Sequence, residues 1–245
     1  MPRLYYPVSD IEDNKIPITG DKARYLISVL RCKKGDELTI FDGKGRCFRT
    51  QIEKAGRKEV VAKVIETFSD DTESPLQIIL IQGLLKGDKM DLVIQRTTEL
   101  GVREIIPALT KRSQVKETRK VNRWKKIAAE ASRQSGRSVI PVIHEPLDFK
   151  NIFTVKRSVE KLCGLILYEE SGMSLSQAVE QKRMHDESSP IHIAIGPEGG
   201  FTREEIALAQ DKGLVVTSFG RRILRAETAA IAAVSLVQFL IGDID

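Results

Sequence analysis

The 245-residue sequence is poor in the residues that build cross-links and metal sites. Its three cysteines, Cys32, Cys47 and Cys163, are scattered, odd in number and without CxxC spacing, which argues against a disulfide framework and a zinc centre. A reducing compartment fits this usage, and a cytoplasmic location is expected. His144, His185 and His192 stand alone with no HExxH spacing, so no metal is expected. No apolar run approaches the roughly 20 residues of a membrane span, and the opening MPRLYYPVSD lacks the charged-then-apolar layout of a signal peptide. No membrane association is expected. A P-loop is missing, as is the dinucleotide fingerprint, since Gly43 and Gly45 lie in a turn without a third glycine. There is no internal repeat and no low-complexity segment.

What is present reads as a folded protein: 41% hydrophobic and 30% charged residues, with a formal net charge of +5. The excess of positive charge leans mildly toward a polyanionic partner, and its distribution says more. From Lys111 to Arg137 ten basic residues face two acids, Glu117 and Glu130. Two readings are open: a stretch that tracks phosphates, or a solvated basic helix face.

Residues 1 to about 72 read as a compact β module: strands Asp36–Phe41, Cys47–Ile52 and Glu59–Phe68 around the turn Asp42–Gly45, with one helix over Asp21–Leu30. Ser69–Pro75 is polar and acidic and ends in proline, which predicts a linker and a boundary between domains 1–72 and 73–245. Beyond it strands alternate with helices. Leu76–Gln82 is a nearly continuous apolar strand, and the helix after it has Asp88 to cap it, Asp91 in its first turn and Gly101 to end it. Further strands are predicted at Glu104–Pro107, Ile140–His144, Leu162–Tyr168, Ile191–Ile195 and Leu214–Phe219. A basic helix is predicted from about Val121 to Ser135. Trp124 shares helical spacing with Ile127, Ala128 and Ala131, which favours a core position over base stacking. Thr202–Glu205 forms a capping box for a helix ended by Gly213, and the Ala-rich Ala226–Leu240 predicts a buried final helix. The fold class is α/β with a largely parallel sheet.

Ligands of open parallel sheets bind beyond the carboxyl ends of the strands, and two such loops have unusual composition. Gly196-Pro197-Glu198-Gly199-Gly200 is a ligand loop or a tight turn. Phe219 to Thr228 places Ile223 and Leu224 among Arg221, Arg222 and Arg225. Either apolar side chains and backbone wrap an uncharged ring while an arginine faces an anion, or Ile223 and Leu224 plug the core and Arg225 pairs with Glu227.

GPEGGF followed by FGRRILRAETAA resembles the paired signature motifs of the SPOUT methyltransferases, and specifically the family that methylates N3 of a uridine in 16S ribosomal RNA. The resemblance spans almost the whole chain through MPRLYY, VLRCKKGD, FDGKG, QGLLKGDKMDLVIQRTTELGVREIIP and AAEASRQSGRSVIP. It implies a C-terminal deep trefoil knot, a rare exception to the rule against threaded chains. It also implies a small N-terminal PUA-like β-barrel for RNA, a homodimer through the knotted domain, and the small ribosomal subunit as partner. The implied cofactor, S-adenosyl-L-methionine, would be held by Leu167, Gly196, Pro197, Glu198, Gly199, Gly200, Phe219, Gly220, Ile223, Leu224, Arg225 and Thr228. Relatives often carry a histidine before VLR; here Arg24 or Tyr25 would meet RNA by charge or stacking.

A sulfonium methyl is already activated, so the enzyme must mainly align donor and acceptor and exclude water. Uridine N3 becomes a nucleophile when its proton leaves and the resulting charge is stabilised. Arg225 is expected to stabilise the uracil anion or a nearby phosphate. Glu198 is expected to position a partner or help remove the proton, or else simply to sit favourably at a helix N-terminus. Expected RNA contacts are Arg3, Arg24, Arg31, Lys33, Lys86, Arg112, Arg133, Gln134 and Arg137, with the target base flipped or single-stranded. The alternatives are a SPOUT enzyme acting on another RNA and a non-catalytic RNA-binding assembly factor.

Overall fold

The computed structural model describes residues 1–8, 11, 13–69, 71–155, 162–170, 172–182 and 189–245; Asp70 of the expected linker and His185 lie outside them. The chain divides into two compact units, residues 1–73 with 132–140, and residues 74–131 with 141–245. The stretch 132–140 therefore belongs with the N-terminal unit although a boundary near 72 leaves it in the second half.

In the first unit, β1 (Arg3–Tyr5), β2 (Lys15–Thr19), β3 (Glu37–Phe41), β4 (Arg46–Ala55) and β5 (Glu59–Ser69) form a sheet of order β1-β3-β4-β5-β2, with α1 (Gly20–Ser28) packed on it. Sequence patterning missed β1 and β2. The first is only three residues long and pairs parallel to β3. Pro17 interrupts the second, which is tolerated because β2 is the last strand of the path. The core is a cluster of Leu4, Ile16, Ile18, Leu26, Leu38, Ile40, Phe48 and Ile52. Glu73 ties down the 132–140 stretch: its carboxylate accepts from the Ser138 and Val139 N–H groups, each at 2.9 Å, and from both Nε and an NH2 of Arg137.

In the second unit, β6 (Ile78–Gly83), α2 (Lys89–Glu99), β7 (Glu104–Leu109), α3 (Val121–Ser135), β8 (Val142–Ile143), β9 (Leu147–Asp148), α4 (Phe149–Val155), β10 (Cys163–Leu167), α5 (Leu175–Lys182), β11 (Ile191–Ile195), α6 (Arg203–Asp211), β12 (Val215–Thr217) and α7 (Ala226–Ile241) follow in order; α3 starts here and its last turn counts with the first unit. The described strands pair as β12-β10-β11-β6-β7-β8, with β9 also on β7, and every pairing is parallel. Helices on the crossovers cover the sheet, so β6 and β11 are buried along their whole length. Each fully buried Ile or Leu there contributes about 1.5–3 kcal/mol.

Three local expectations change in the structure. Asp88 makes no side-chain cap, because its backbone is outside the extended region that capping needs and its carboxylate stands 3.9 Å from Lys120 instead. Asp91, beyond sitting in the first turn of α2, is buried and accepts from Arg123 Nε at 2.8 Å and Trp124 Nε1 at 3.0 Å, which fixes Trp124 in the core. The final helix α7 is not buried all round: Leu236, Phe239 and Leu240 share an exposed strip that no described residue covers. Where these residues were read as core from composition, the apolar part of the buried face is Ala229, Ala230, Ala233, Val234 and Val237, packed on α2 and β11.

Candidate active site

Three parallel strands, β10, β11 and β12, end side by side, and the loops leaving them enclose a cavity of about 340 Å³. This volume suits a small-molecule ligand. Its walls are Leu167 to Glu169 after β10, Ile195 to Glu198 with Gly200 and Phe201 after β11, Thr217 to Phe219 and Arg222 to Arg225 after β12, the start of α7 and Lys89 of α2.

The turn after β11 is built from close approach. Gly83, the last residue of β6, carries no side chain where the Pro197 nitrogen passes: a Cβ there would lie 2.4 Å from it. The Gly200 N–H closes the turn on the Pro197 carbonyl at 2.9 Å, and its φ of +68° suits glycine. The buried Gln82 amide donates to the Gly83 carbonyl at 3.0 Å and to the Gly196 carbonyl at 3.4 Å, so β6 holds the turn from below. Outside it, Arg112 donates to the Gly199 carbonyl at 3.2 Å.

The capping box at Thr202 is formed: the hydroxyl accepts from Glu205 N and the carboxylate accepts from Thr202 N at 2.9 Å. The other oxygen of Glu205 accepts from Lys111 N at 2.8 Å, which pins the loop after β7 to the start of α6.

Glu198 accepts from Lys86 N and from Lys89 Nζ, both at 3.1 Å, at the start of α2. Burial raises its carboxyl, but the Glu198 and Lys86 N–H groups and the Lys89 ammonium outweigh that and hold it below the usual glutamate range. A carboxylate held ionised by three donors is a poor proton acceptor and a good clamp. The same Lys89 Nζ stands 3.9 Å from Oε2 of Glu227.

The loop after β12 settles one of the two open readings of Ile223 and Leu224. Ile223 is 82% exposed and Leu224 only partly buried, so they do not plug the core. Arg225 is exposed and forms no ion pair among the described residues, and the cation facing Glu227 is Lys89. Ile223, Leu224 and Arg225 all line the cavity mouth.

Residues 72–238 match the model of the RNA methyltransferase domain and residues 18–65 that of the RNA methyltransferase PUA domain. A ribosomal RNA small subunit methyltransferase E from Synechocystis is 34% identical over 98% of this chain and 78% of its own length. One from Rickettsia conorii is 32% identical over 97% and 95%. The chain belongs to the ribosomal RNA small subunit methyltransferase E family. The crystal structure of that enzyme from Neisseria gonorrhoeae, bound to S-adenosyl methionine, superimposes over the full length of both chains with a TM-score of 0.88 at 32% identity. A Legionella pneumophila structure in complex with S-adenosylmethionine gives 0.84 at 32% identity, covering 99% of this chain and 98% of its own.

Of the residues expected around a cofactor in this family, Leu167, Gly196, Pro197, Glu198, Gly200, Phe219, Ile223, Leu224 and Arg225 meet at the cavity, while Gly199, Gly220 and Thr228 are not among its walls. Gly199 faces Arg112, and Gly220 serves the turn through a φ of +67°. Among the walls that the expected residue set left out are Lys89, Glu169, Phe201, Arg222 and Glu227. Phe201, Arg222 and Glu227 sit inside the two motifs, but Lys89 carries no local signal because its partners lie more than 100 positions away.

Of the expected RNA contacts, Arg24, Arg31, Lys33, Lys86 and Arg112 are exposed. Arg24 pairs with Asp21, Arg31 occupies a left-handed turn with φ of +54°, and Lys33 N donates to Asp36. Gln134 is exposed and Arg133 half-buried. Arg137 does not fit the set: it is 3% exposed and its guanidinium is held by Glu73. Arg3 is half-buried, donates to the Arg137 carbonyl at 3.2 Å and lies over the Phe41 ring, so it too holds the fold. Among the described residues no cluster of His, Cys, Asp and Glu could hold a metal ion, and no helix is long and apolar enough to cross a membrane.

Proposed function

We propose that this protein transfers the methyl group of S-adenosylmethionine to N3 of a uridine in 16S ribosomal RNA. The observation that carries the reading is that the Gly196–Gly200 turn and the Arg222–Arg225 loop, remote in sequence, close one cavity beyond the strand ends. The residues present fit the cofactor. Leu167, Ile195, Phe201, Phe219 and Leu224 offer apolar walls for an adenine ring, the side-chain-free turn lets backbone groups approach it, and Glu169 and Glu198 offer carboxylates to its cationic end. The bound cofactor supplies an already activated methyl as a sulfonium. Arg225, exposed and unpaired at the mouth, stabilises the negative charge that develops on the uracil ring or an adjacent phosphate. Glu198 acts as a positioning residue, holding Lys89 and the turn together.

Residues 1–72 act as a PUA-like, barrel-forming RNA module and 73–245 as a knotted SPOUT domain. Arg24, Arg31 and Lys33 on the first and Lys86, Arg112, Arg133 and Gln134 further along make the RNA contacts. The exposed Leu236, Phe239 and Leu240 strip of α7 supports a homodimer formed through this domain. The partner is the small subunit, and the enzyme works in the cytoplasm. The test is to incubate the protein with labelled S-adenosylmethionine and small subunits, digest the RNA and identify the labelled nucleoside. N3-methyluridine is expected; label in any other nucleoside, or none, overturns the proposal.

A further inference from the structure

Removing the uridine proton needs an acceptor, and three carboxylates line the cavity: Glu169, Glu198 and Glu227. They differ in what already binds them. Glu198 Oε1 already accepts from both Lys86 N and Lys89 Nζ, which favours the ionised form and weakens it as a proton acceptor. Glu169 is exposed at the rim, open to solvent. Glu227 is 9% exposed, and its Oε2 is buried without a hydrogen bond, the nearest cation being Lys89 Nζ at 3.9 Å. A buried carboxylate oxygen without a donor is costly unless a ligand brings one, and the donor that a uracil ring brings is its N3–H.

Position agrees with this assignment. Glu227 occupies the first turn of α7, two residues after Arg225, so one helix start presents a cation and an anion to the same cavity. Lys89, on α2, bridges toward both Glu198 and Glu227 and opposes movement of the Glu227 carboxylate out of the pocket.

Resting on the reading of the protein as a uridine-N3 methyltransferase, the geometry points to Glu227 as the catalytic base that takes the N3 proton. The N–H bond breaks, its electron pair stays on N3, and the proton passes to a Glu227 oxygen. That pair then forms the N–C bond to the methyl group, the sulfonium's C–S pair goes to sulfur, and the proton is released from Glu227 to solvent after the product leaves. Charge balances: the cationic donor becomes neutral and one proton is set free.

The test uses the full-length E227Q protein, which keeps shape and loses the base. Calorimetry should give S-adenosylmethionine affinity within about threefold of wild type, and single-turnover methylation of small subunits should fall about 10²–10⁴-fold. Subunits assembled with 5-fluorouridine RNA, whose N3–H is more acidic, should recover a large part of that loss in the variant while changing the wild-type rate little. If E227Q does not fold, as judged by its melting curve, E227D supplies the same two readouts with a smaller loss. A variant rate near wild type, a loss that tracks cofactor affinity alone, or a 5-fluorouridine ratio equal to that of wild type each overturns the assignment. A wild-type product methylated elsewhere than N3 overturns the proposed function as well, which separates the two failures.

Discussion

The turn after β11 and the loop after β12 close the same cavity, but they are held in opposite ways. Gly196 to Gly200 is fixed on every side: by Gly83 and Gln82 below, by Lys86 and Lys89 through Glu198, and by Arg112 outside. Arg221 to Arg225 shows no such ties among the described residues, and Ile223 and Arg225 stand in solvent. One wall is therefore preformed, and the other keeps its apolar and cationic groups for what arrives. The difference matches two duties, since a small cofactor gains affinity from a rigid cradle and a large RNA needs surfaces that are still unpaired.

If the division is real, a cut on the loose side should strike rate and leave binding of the small ligand alone. Arg225→Ala is expected to lower single-turnover methylation about 10²–10³-fold, equivalent to about 3–4 kcal/mol of transition-state stabilisation. Its melting temperature and S-adenosylmethionine affinity by calorimetry should stay close to wild type. Loss of cofactor binding in that variant would erase the contrast.

A cut on the rigid side should do the reverse. Gly83→Ala places a Cβ against the Pro197 backbone, which cannot yield like a flexible side chain, and should destabilise the fold by about 1–3 kcal/mol with a parallel loss of cofactor affinity. Denaturant unfolding and calorimetry check it together.

The smallest effect concerns pH. The Glu198 carboxyl is held below its ordinary value of about 4.5, so the folded state binds that proton more weakly than the unfolded chain does. Its contribution is then fully present above that ordinary value and fades as pH falls through the lower folded one. Glu198→Gln should be less stable than wild type at pH 7, and the gap between their melting temperatures should narrow on acidification below about pH 4.5. A gap that stays constant to pH 3 would mean that the clamp on α2 contributes nothing.

How much of this was legible depended on how local the physics was. The capping box at Thr202, the ends of helices at Gly101, Gly136 and Gly213, and the strands leading into the cavity follow from neighbours in the chain, and each stands in the structure. The pair of loops was legible only through resemblance to a family, because composition left Ile223 and Leu224 open between lining a cavity and plugging a core. Long-range partners were not legible. Arg137 reads as one more exposed cation until Glu73, 64 positions earlier, closes on it, and Asp91 reads as a helix-start acid until Trp124 and Arg123 reach it. The α7 strip was misread for the same reason, since an apolar sequence says that a face wants cover and not what supplies it.

Glu205 carries a last implication. Its two oxygens hold the Thr202 and Lys111 amides, so a single swing of this one side chain unlatches both the start of α6 and the basic segment after β7. Those two amides should therefore exchange their hydrogens with deuterated water in step, by a shared opening event, although 91 residues separate them in the chain.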